Sequence, residues 1–164
     1  MHDTRQEPLF DDDFLSMSRG LPTDQQDVWS QMLAVMFRLP NALEAGLRSS
    51  NDLALTDFIV LSLLADAPNR SQRMSVLARA AHLSGPRATQ LMSRLEKRGL
   101  VERRAGDVDG RAIIATLTAD GLALLEEASP AFTKDVQERV FNRLSAAQIA
   151  QLREITAAIN TTIA

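Results

Sequence analysis

Between Ser84 and Arg94 the chain sets a group of hydrogen-bonding side chains, Ser84, Arg87, Thr89, Gln90, Ser93 and Arg94, around four apolar ones, Ala88, Leu91, Met92 and Leu95. The apolar four recur at three- and four-residue steps, the spacing of one helical face. With that face turned inward, Pro86, Arg87, Thr89, Gln90, Ser93 and Arg94 turn outward. The chemistry this outer set offers is recognition of nucleic acid. Arg87 can pair with both acceptors of a guanine edge, Gln90 with adenine, and the Thr89 methyl can touch a thymine methyl. Ser84, Thr89, Ser93 and Arg94 can donate to phosphates, and the helix N-terminus adds its own backbone N–H groups. A polar outer face is also what any solvated helix carries, so this helix alone does not decide between the two.

The segment beyond this helix tips the balance. After Gly99 the apolar period drops to two, giving a strand over Leu100–Arg104, a turn over Ala105–Gly110 marked by Asp109-Gly110, and a returning strand over Ala112–Leu117. Arg103, Arg104 and Arg111 place further cations on this hairpin, whose tip could reach an adjacent minor groove. The net charge of −3 divides to match: residues 70–111 hold ten basic and four acidic residues, a balance of +6, and the rest of the chain carries −9. A local positive patch is what attraction to phosphate needs, whatever the total.

Other chemistries find little support. With no cysteine there are no disulfides, thiolate catalysis, Cys-ligated metal or thiol-based redox sensing. His2 and His82 are 80 positions apart, and His82, beside Leu83 at an apolar-to-turn junction, reads as a boundary residue rather than a metal ligand. No nucleophile–base pair, metal cluster or phosphate-cradling glycine loop is visible, so neither an enzyme nor a cofactor is expected. No apolar run approaches the ~18–20 residues that cross a bilayer. The first 21 residues, acidic around Asp11, Asp12 and Asp13, lack the basic-then-apolar pattern of a secretory leader; the expectation is a flexible arm on a cytoplasmic protein.

Periodicity also supplies the scaffold around the polar helix. A first helix starts near Asp24, capped by Thr23 or Asp24, and carries Val28, Met32, Val35 or Met36, Leu39, Leu43 and Leu47, with Pro40 expected to kink or split it. A second runs from a Thr56 cap to Asp66, ended by Ala67-Pro68-Asn69. A short third holds Met74, Val76, Leu77, Ala80 and Ala81, and His82–Gly85 turns the chain into the polar helix, which Gly99 ends as a left-handed cap. Beyond the hairpin, Thr118 caps a long helix interrupted at Ser129-Pro130. A last helix opens on the capping box Ser145/Gln148, with Ile149, Leu152, Ile155 or Thr156, Ile159 and Ile163 on its apolar face. The fold expected is mainly α with a small two-stranded β-wing, a winged helix-turn-helix at 51–118 flanked by long helices at 22–50 and 119–164. Those helices are too apolar to serve only the central core, and a second copy of the chain is the natural surface for them.

Several stretches together resemble the MarR family of regulators. These are Arg73–Ala78, Leu83-Ser84, Leu95–Arg103, then Asp109-Gly110-Arg111 followed by Leu117-Thr118-Ala119-Asp120-Gly121. The wing Asp-x-Arg with Leu-Thr-x-x-Gly at the right distance is the particular part, and the resemblance spans residues 24 to 164. It implies that 84–94 is the recognition helix, that Arg111 is the wing-tip arginine entering the minor groove, and that Asp109 supports that side of the wing. It also implies that the flanking helices form a homodimer on double-stranded DNA. Many members release DNA when a small aromatic or phenolic effector enters a cleft beside the dimer helices; Trp29, Met36 and Phe58 are the candidates here, although a Met/aromatic stripe at this spacing also reads as core or interface. Two departures stand out: Gly110 replaces a second wing cation, and Gly85-Pro86 replaces small polar residues at the start of the recognition helix.

The function expected is therefore sequence-specific DNA binding by a dimeric transcriptional regulator, a repressor, on a pseudo-palindromic operator. The competing reading is a winged-helix interaction protein or antirepressor that has lost DNA binding, which predicts an eroded basic face.

Overall fold

Six α-helices and a three-stranded antiparallel sheet make up the described part of the chain, residues 18, 20–106 and 112–163 of a computed structural model. Most of the expected N-terminal arm lies outside these residues. Helix α1, Thr23–Asn51, runs without a break through Pro40. Of the kink or split expected there, the split does not occur. A proline removes one backbone donor, and a helix with good formers on both sides can propagate past a single lost bond. The chain divides into two compact units, one up to Ala42 and one from Leu43 onward. In the first, the described portion is a helix whose Val28, Val35, Met36 and Phe37 are exposed, with Leu33 buried.

The second unit holds the winged helix-turn-helix. Helix α2, Leu55–Ala65, starts one residue before the expected Thr56 cap. Ala54 occupies the N-cap and has no side-chain acceptor to offer, so the carboxylate of Asp57 reaches back and accepts from the Ala54 N–H at 3.2 Å. After a 3-10 turn at Pro68–Arg70 come strand β1, Ser71–Arg73, helix α3, Met74–Ala80, and helix α4, Gly85–Lys97. Strands β2, Val101–Ala105, and β3, Ile113–Leu117, form the hairpin of the wing. The wing is the two-stranded hairpin expected, and the sheet gains a third strand outside it: β1 pairs with the other edge of β3, Ser71 opposite Thr116, and the two hydroxyls lie 2.8 Å apart. Three residues are too few to show a period of two, which is why this strand left no trace in the pattern.

The core of this unit gathers Leu47 from α1 with Phe58, Val60, Leu61 and Leu64 of α2, Leu77 of α3, Leu91, Met92 and Leu95 of α4, and Val101, Ala115 and Leu117 of the sheet. The inward stripe expected for α4 is the one observed: Ala88, Leu91, Met92 and Leu95 are all buried. The turn between α3 and α4 depends on His82, whose φ of +51° is left-handed although it is not glycine. Its N–H donates to the Arg79 carbonyl at 3.1 Å, closing α3. For an L-residue that conformation costs about 1–2 kcal/mol, and a β-branched side chain tolerates it worst. His82→Val should therefore destabilise the domain by about 1–2 kcal/mol in urea unfolding, while His82→Gly should be neutral or stabilising. Equal effects of the two substitutions would show that backbone conformation is not what limits this turn.

Helix α5, Ala119–Arg139, begins where the hairpin ends. Thr118 caps it by accepting from the Gly121 N–H at 3.0 Å, and its hydroxyl donates to the Gly99 carbonyl at 2.7 Å. Gly99, with φ +73°, is the left-handed residue that ends α4. Contrary to expectation, α5 is not interrupted at Pro130, and the Ser129 hydroxyl donates to the Leu125 carbonyl just before it. Ala128 and Leu125 of this helix sit in the core, and the Phe132 ring packs on Phe58 with centroids 4.4 Å apart. Following a 3-10 turn at Phe141–Arg143, helix α6, Ala146–Ile163, opens on the expected reciprocal cap: the Ser145 N–H donates to Gln148 Oε1 and the Gln148 N–H to Ser145 Oγ. Past Ile149, α6 is exposed along the rest of its described length, including Leu152, Ile155 and Ile159 at 36%, 56% and 37%.

Candidate nucleic-acid interface

With its apolar stripe in the core, α4 turns Pro86, Arg87, Thr89 and Gln90 to solvent, along with Ser84 at its N-cap. Pro86 falls in the first turn, where its missing N–H has no helical partner to lose. The Thr89 hydroxyl donates back to the Gly85 carbonyl at 3.0 Å, which leaves the methyl free to project. Ser93 is only half exposed, one turn further from the N-terminus. Arg87 and Gln90, three residues apart on one face, are the two side chains best suited to reach paired acceptors and donors on base edges.

Three of the cations in the basic stretch have carboxylate or carbonyl partners. Arg94 is ion-paired through Nη2 with Asp57 on α2 and keeps half of its side chain exposed. Arg103 on β2 is tied to Glu96 at the end of α4: its backbone N–H reaches Glu96 Oε1 at 3.2 Å and its Nε reaches Oε2 at 3.0 Å. The Arg103 guanidinium holds the Glu96 carboxyl below the usual carboxylate range. Arg98 donates to the Asp52 carbonyl at 2.8 Å, which fastens the end of α4 to the loop after α1. These residues brace the reading helix and the wing. Sequence showed their charge and missed their partners, which are supplied by tertiary structure. Arg104 remains exposed on the wing. Asp109 and Arg111 lie outside the described residues.

The candidate effector residues separate. Phe58 is buried in the core against Phe132, so its spacing marked core packing. Trp29 is partly buried and Met36 exposed on the first part of α1. Within the second unit there is a cavity of about 160 Å³ between the end of α1 and the middle of α5, with Leu43, Leu47, Ala128 and Phe132 on its walls and Asp135 at its edge. Spacing alone did not reveal it. Gly46 is part of the reason it exists: a Cβ there would lie 2.9 Å from Asp135 Oδ2. Among the described residues no three His, Asp or Glu side chains are grouped to hold a metal ion, and no helix is long and apolar enough to cross a membrane.

A helix packed by its apolar stripe on a helix-turn-helix core, with a β-hairpin at its C-terminal end, is the arrangement of winged-helix DNA-binding proteins. Residues 51–112 match the sequence model of the MarR family. The chain is 34% identical over 103 residues to the HTH-type transcriptional repressor Rv2887 of Mycobacterium tuberculosis, covering 63% of this chain and 72% of that one. Among solved structures it is similar to Sco3205, a MarR family transcriptional regulator from Streptomyces coelicolor in complex with DNA. The TM-score is 0.85 at 29% identity, over 89% of this chain and 92% of the other. AbsC, a MarR family regulator from the same organism, gives 0.84 at 27% identity, over 88% and 97%. The chain belongs to the MarR family of winged-helix transcriptional regulators, and its function is that of a DNA-binding repressor of this family.

Proposed function

We propose that the protein is a cytoplasmic, non-enzymatic homodimer that represses transcription by binding a pseudo-palindromic operator in double-stranded DNA. The observation that carries this is the outward set Pro86, Arg87, Thr89 and Gln90 on a helix whose opposite face is locked into the core. Two such helices about one DNA turn apart, ~34–36 Å, read two half-sites. In each half-site Arg87 and Gln90 read base edges, while Ser84, Ser93 and Arg94 lie along phosphates. Arg111 enters the minor groove from the wing, supported by Asp109. The solved complex of the Sco3205 relative with DNA supports this arrangement.

Dimerisation is supported by α6. Helices in proteins owe most of their stability to packing of an apolar face, and this one buries almost none of its own within its chain. A second copy covering Leu152, Ile155 and Ile159 supplies the missing packing. The cavity beside Phe132 supports release by a small aromatic effector carrying a polar group, since a space of that order accommodates a single ring and its lining joins Leu43, Leu47 and Phe132 with Asn51 and Asp135.

The test is an anisotropy titration against DNA from the promoter beside the protein's own gene, at two salt concentrations. Arg87→Ala should weaken binding by roughly 5- to 100-fold, the range of one bidentate base contact. Arg111→Ala should weaken it and reduce the salt slope by about one unit. Unchanged affinity and slope for Arg111→Ala would remove the wing from the interface. If duplexes chosen from a random pool also fail to bind, the fold serves protein interaction instead.

A further inference from the structure

Asp57 is the one buried charged residue among the described residues, its side chain 3% exposed. An ionised carboxylate at such a depth is strongly unfavourable unless each oxygen is partnered. Here one oxygen accepts from the Ala54 N–H at 3.2 Å and the other from Arg94 Nη2. Asp57 thus belongs at once to the start of α2 and to the last turns of α4. A second carboxylate stands beside it. Glu44 accepts from the Leu55 N–H at 3.2 Å and from Arg48 Nε at 2.7 Å. Arg48 holds its carboxyl below the usual range, and Arg94 is close enough to add to that effect.

Arg94 therefore does not meet DNA as a freely rotating cation. One arm of its planar fork is taken by a buried acceptor, and a guanidinium fixed at one arm aims its other donors. On the far side, Glu96 of the same helix is held by Arg103 of the wing. The buried stripe Ala88, Leu91, Met92 and Leu95 seats α4 on the core, and two ion pairs, one to α2 and one to β2, restrain its remaining rotation about its own axis. That rotation decides whether Arg87 and Gln90 meet base edges or miss them.

We propose that Asp57 is a positioning residue for operator recognition, acting through Arg94 to fix the rotation of the reading helix. The inference rests on the DNA-binding reading given above. It also opposes simple electrostatics, because removing a negative charge near a DNA-binding face should strengthen binding to every duplex, whereas loss of positioning should weaken binding to the operator alone.

The experiment uses the full-length protein and two duplexes, one selected by the wild type from a random pool and one of unrelated sequence at the same salt. Asp57→Asn keeps the volume and an acceptor for Ala54 but presents no carboxylate to Arg94. Its affinity for the selected duplex should fall at least tenfold, roughly the loss expected of a misaimed site, with the unrelated duplex unchanged or bound slightly more tightly. Asp57→Asn combined with Arg94→Gln should be no worse than Arg94→Gln alone, as expected of two residues acting as one unit. If Asp57→Asn does not fold, Arg94→Lys keeps the charge at a half-exposed position while losing the fork, and should show the same loss of discrimination. An equal change on both duplexes, or unchanged discrimination in a variant whose only defect is a lower Tm, would overturn the proposal. A wild-type pool that yields no preferred duplex would instead overturn the DNA-binding reading and take this inference with it.

Discussion

Gly121→Ala should destabilise the protein by about 3 kcal/mol or more, at the upper end of what overpacking produces. A Cβ at this position would lie 2.1 Å from the Leu100 carbonyl oxygen and 2.8 Å from Leu117 Cδ1. The carbonyl cannot swing away cheaply, because it accepts from the Thr118 N–H at 3.2 Å, and Thr118 in turn caps the helix in whose first turn Gly121 lies. Relief would require the start of α5 to lift off the wing. Urea unfolding monitored by circular dichroism reads the effect. A loss below about 1 kcal/mol, the ordinary cost of a surface change, would mean that α5 can shift outward without consequence. The sequence pattern Leu-Thr-x-x-Gly thus has a physical content here: leucine for the core, threonine for the cap, glycine for a backbone that comes within contact of another backbone.

The second large effect concerns assembly. On the homodimer proposed above, Leu152→Asp together with Ile159→Asp should give a monomer and reduce operator affinity by at least about 100-fold, because a second half-site then no longer adds to the first. Both positions are more than a third exposed within the chain, so aspartate there costs the isolated protomer little. Any strong effect reports a partner surface. Light scattering after size exclusion gives the oligomeric state, and circular dichroism confirms that the chain remains folded. A variant that stays dimeric and binds DNA normally would place the interface elsewhere, with the exposed Val28, Val35, Met36 and Phe37 of α1 as the next surface to change.

How much of this was visible in the sequence depends on the range of the interactions. The stripe Ala88, Leu91, Met92 and Leu95, the left-handed Gly99, the Thr118 cap and the Ser145/Gln148 box all involve partners within four residues or a simple period, and local pattern reveals them. The start of α2 was displaced because its cap comes from Asp57 reaching backward, a device that a search for Ser or Thr at the N-cap passes over. Pro40 reads as a kink or split and Pro130 as an interruption, yet both helices continue through them. Local propensity is outweighed there by the turns on either side. The pairing of Arg94 with Asp57 spans 37 positions, and no spacing rule connects them. The outward set Arg87, Thr89 and Gln90 was legible as polar residues opposite an apolar stripe. That Arg94, Arg98 and Arg103 have partners on other elements became clear only once the chain was folded.

The joint at Gly99, Thr118 and Gly121 has one more consequence, a mechanical one. Both legs of the hairpin leave from this point, β2 outward from Val101 and β3 back to Leu117. Each has five residues, ~17 Å of extended chain, but β1 is paired with β3 from Ile114 to Thr116, so only the far end, near Ala105 and Ile113, projects beyond the brace. A roll of α5, which starts at the same joint, meets the resistance of β1 and of the Arg103–Glu96 tie before it reaches that end. The hairpin is thus a buttressed arm, and its stiffness is set by the three-residue strand at its back.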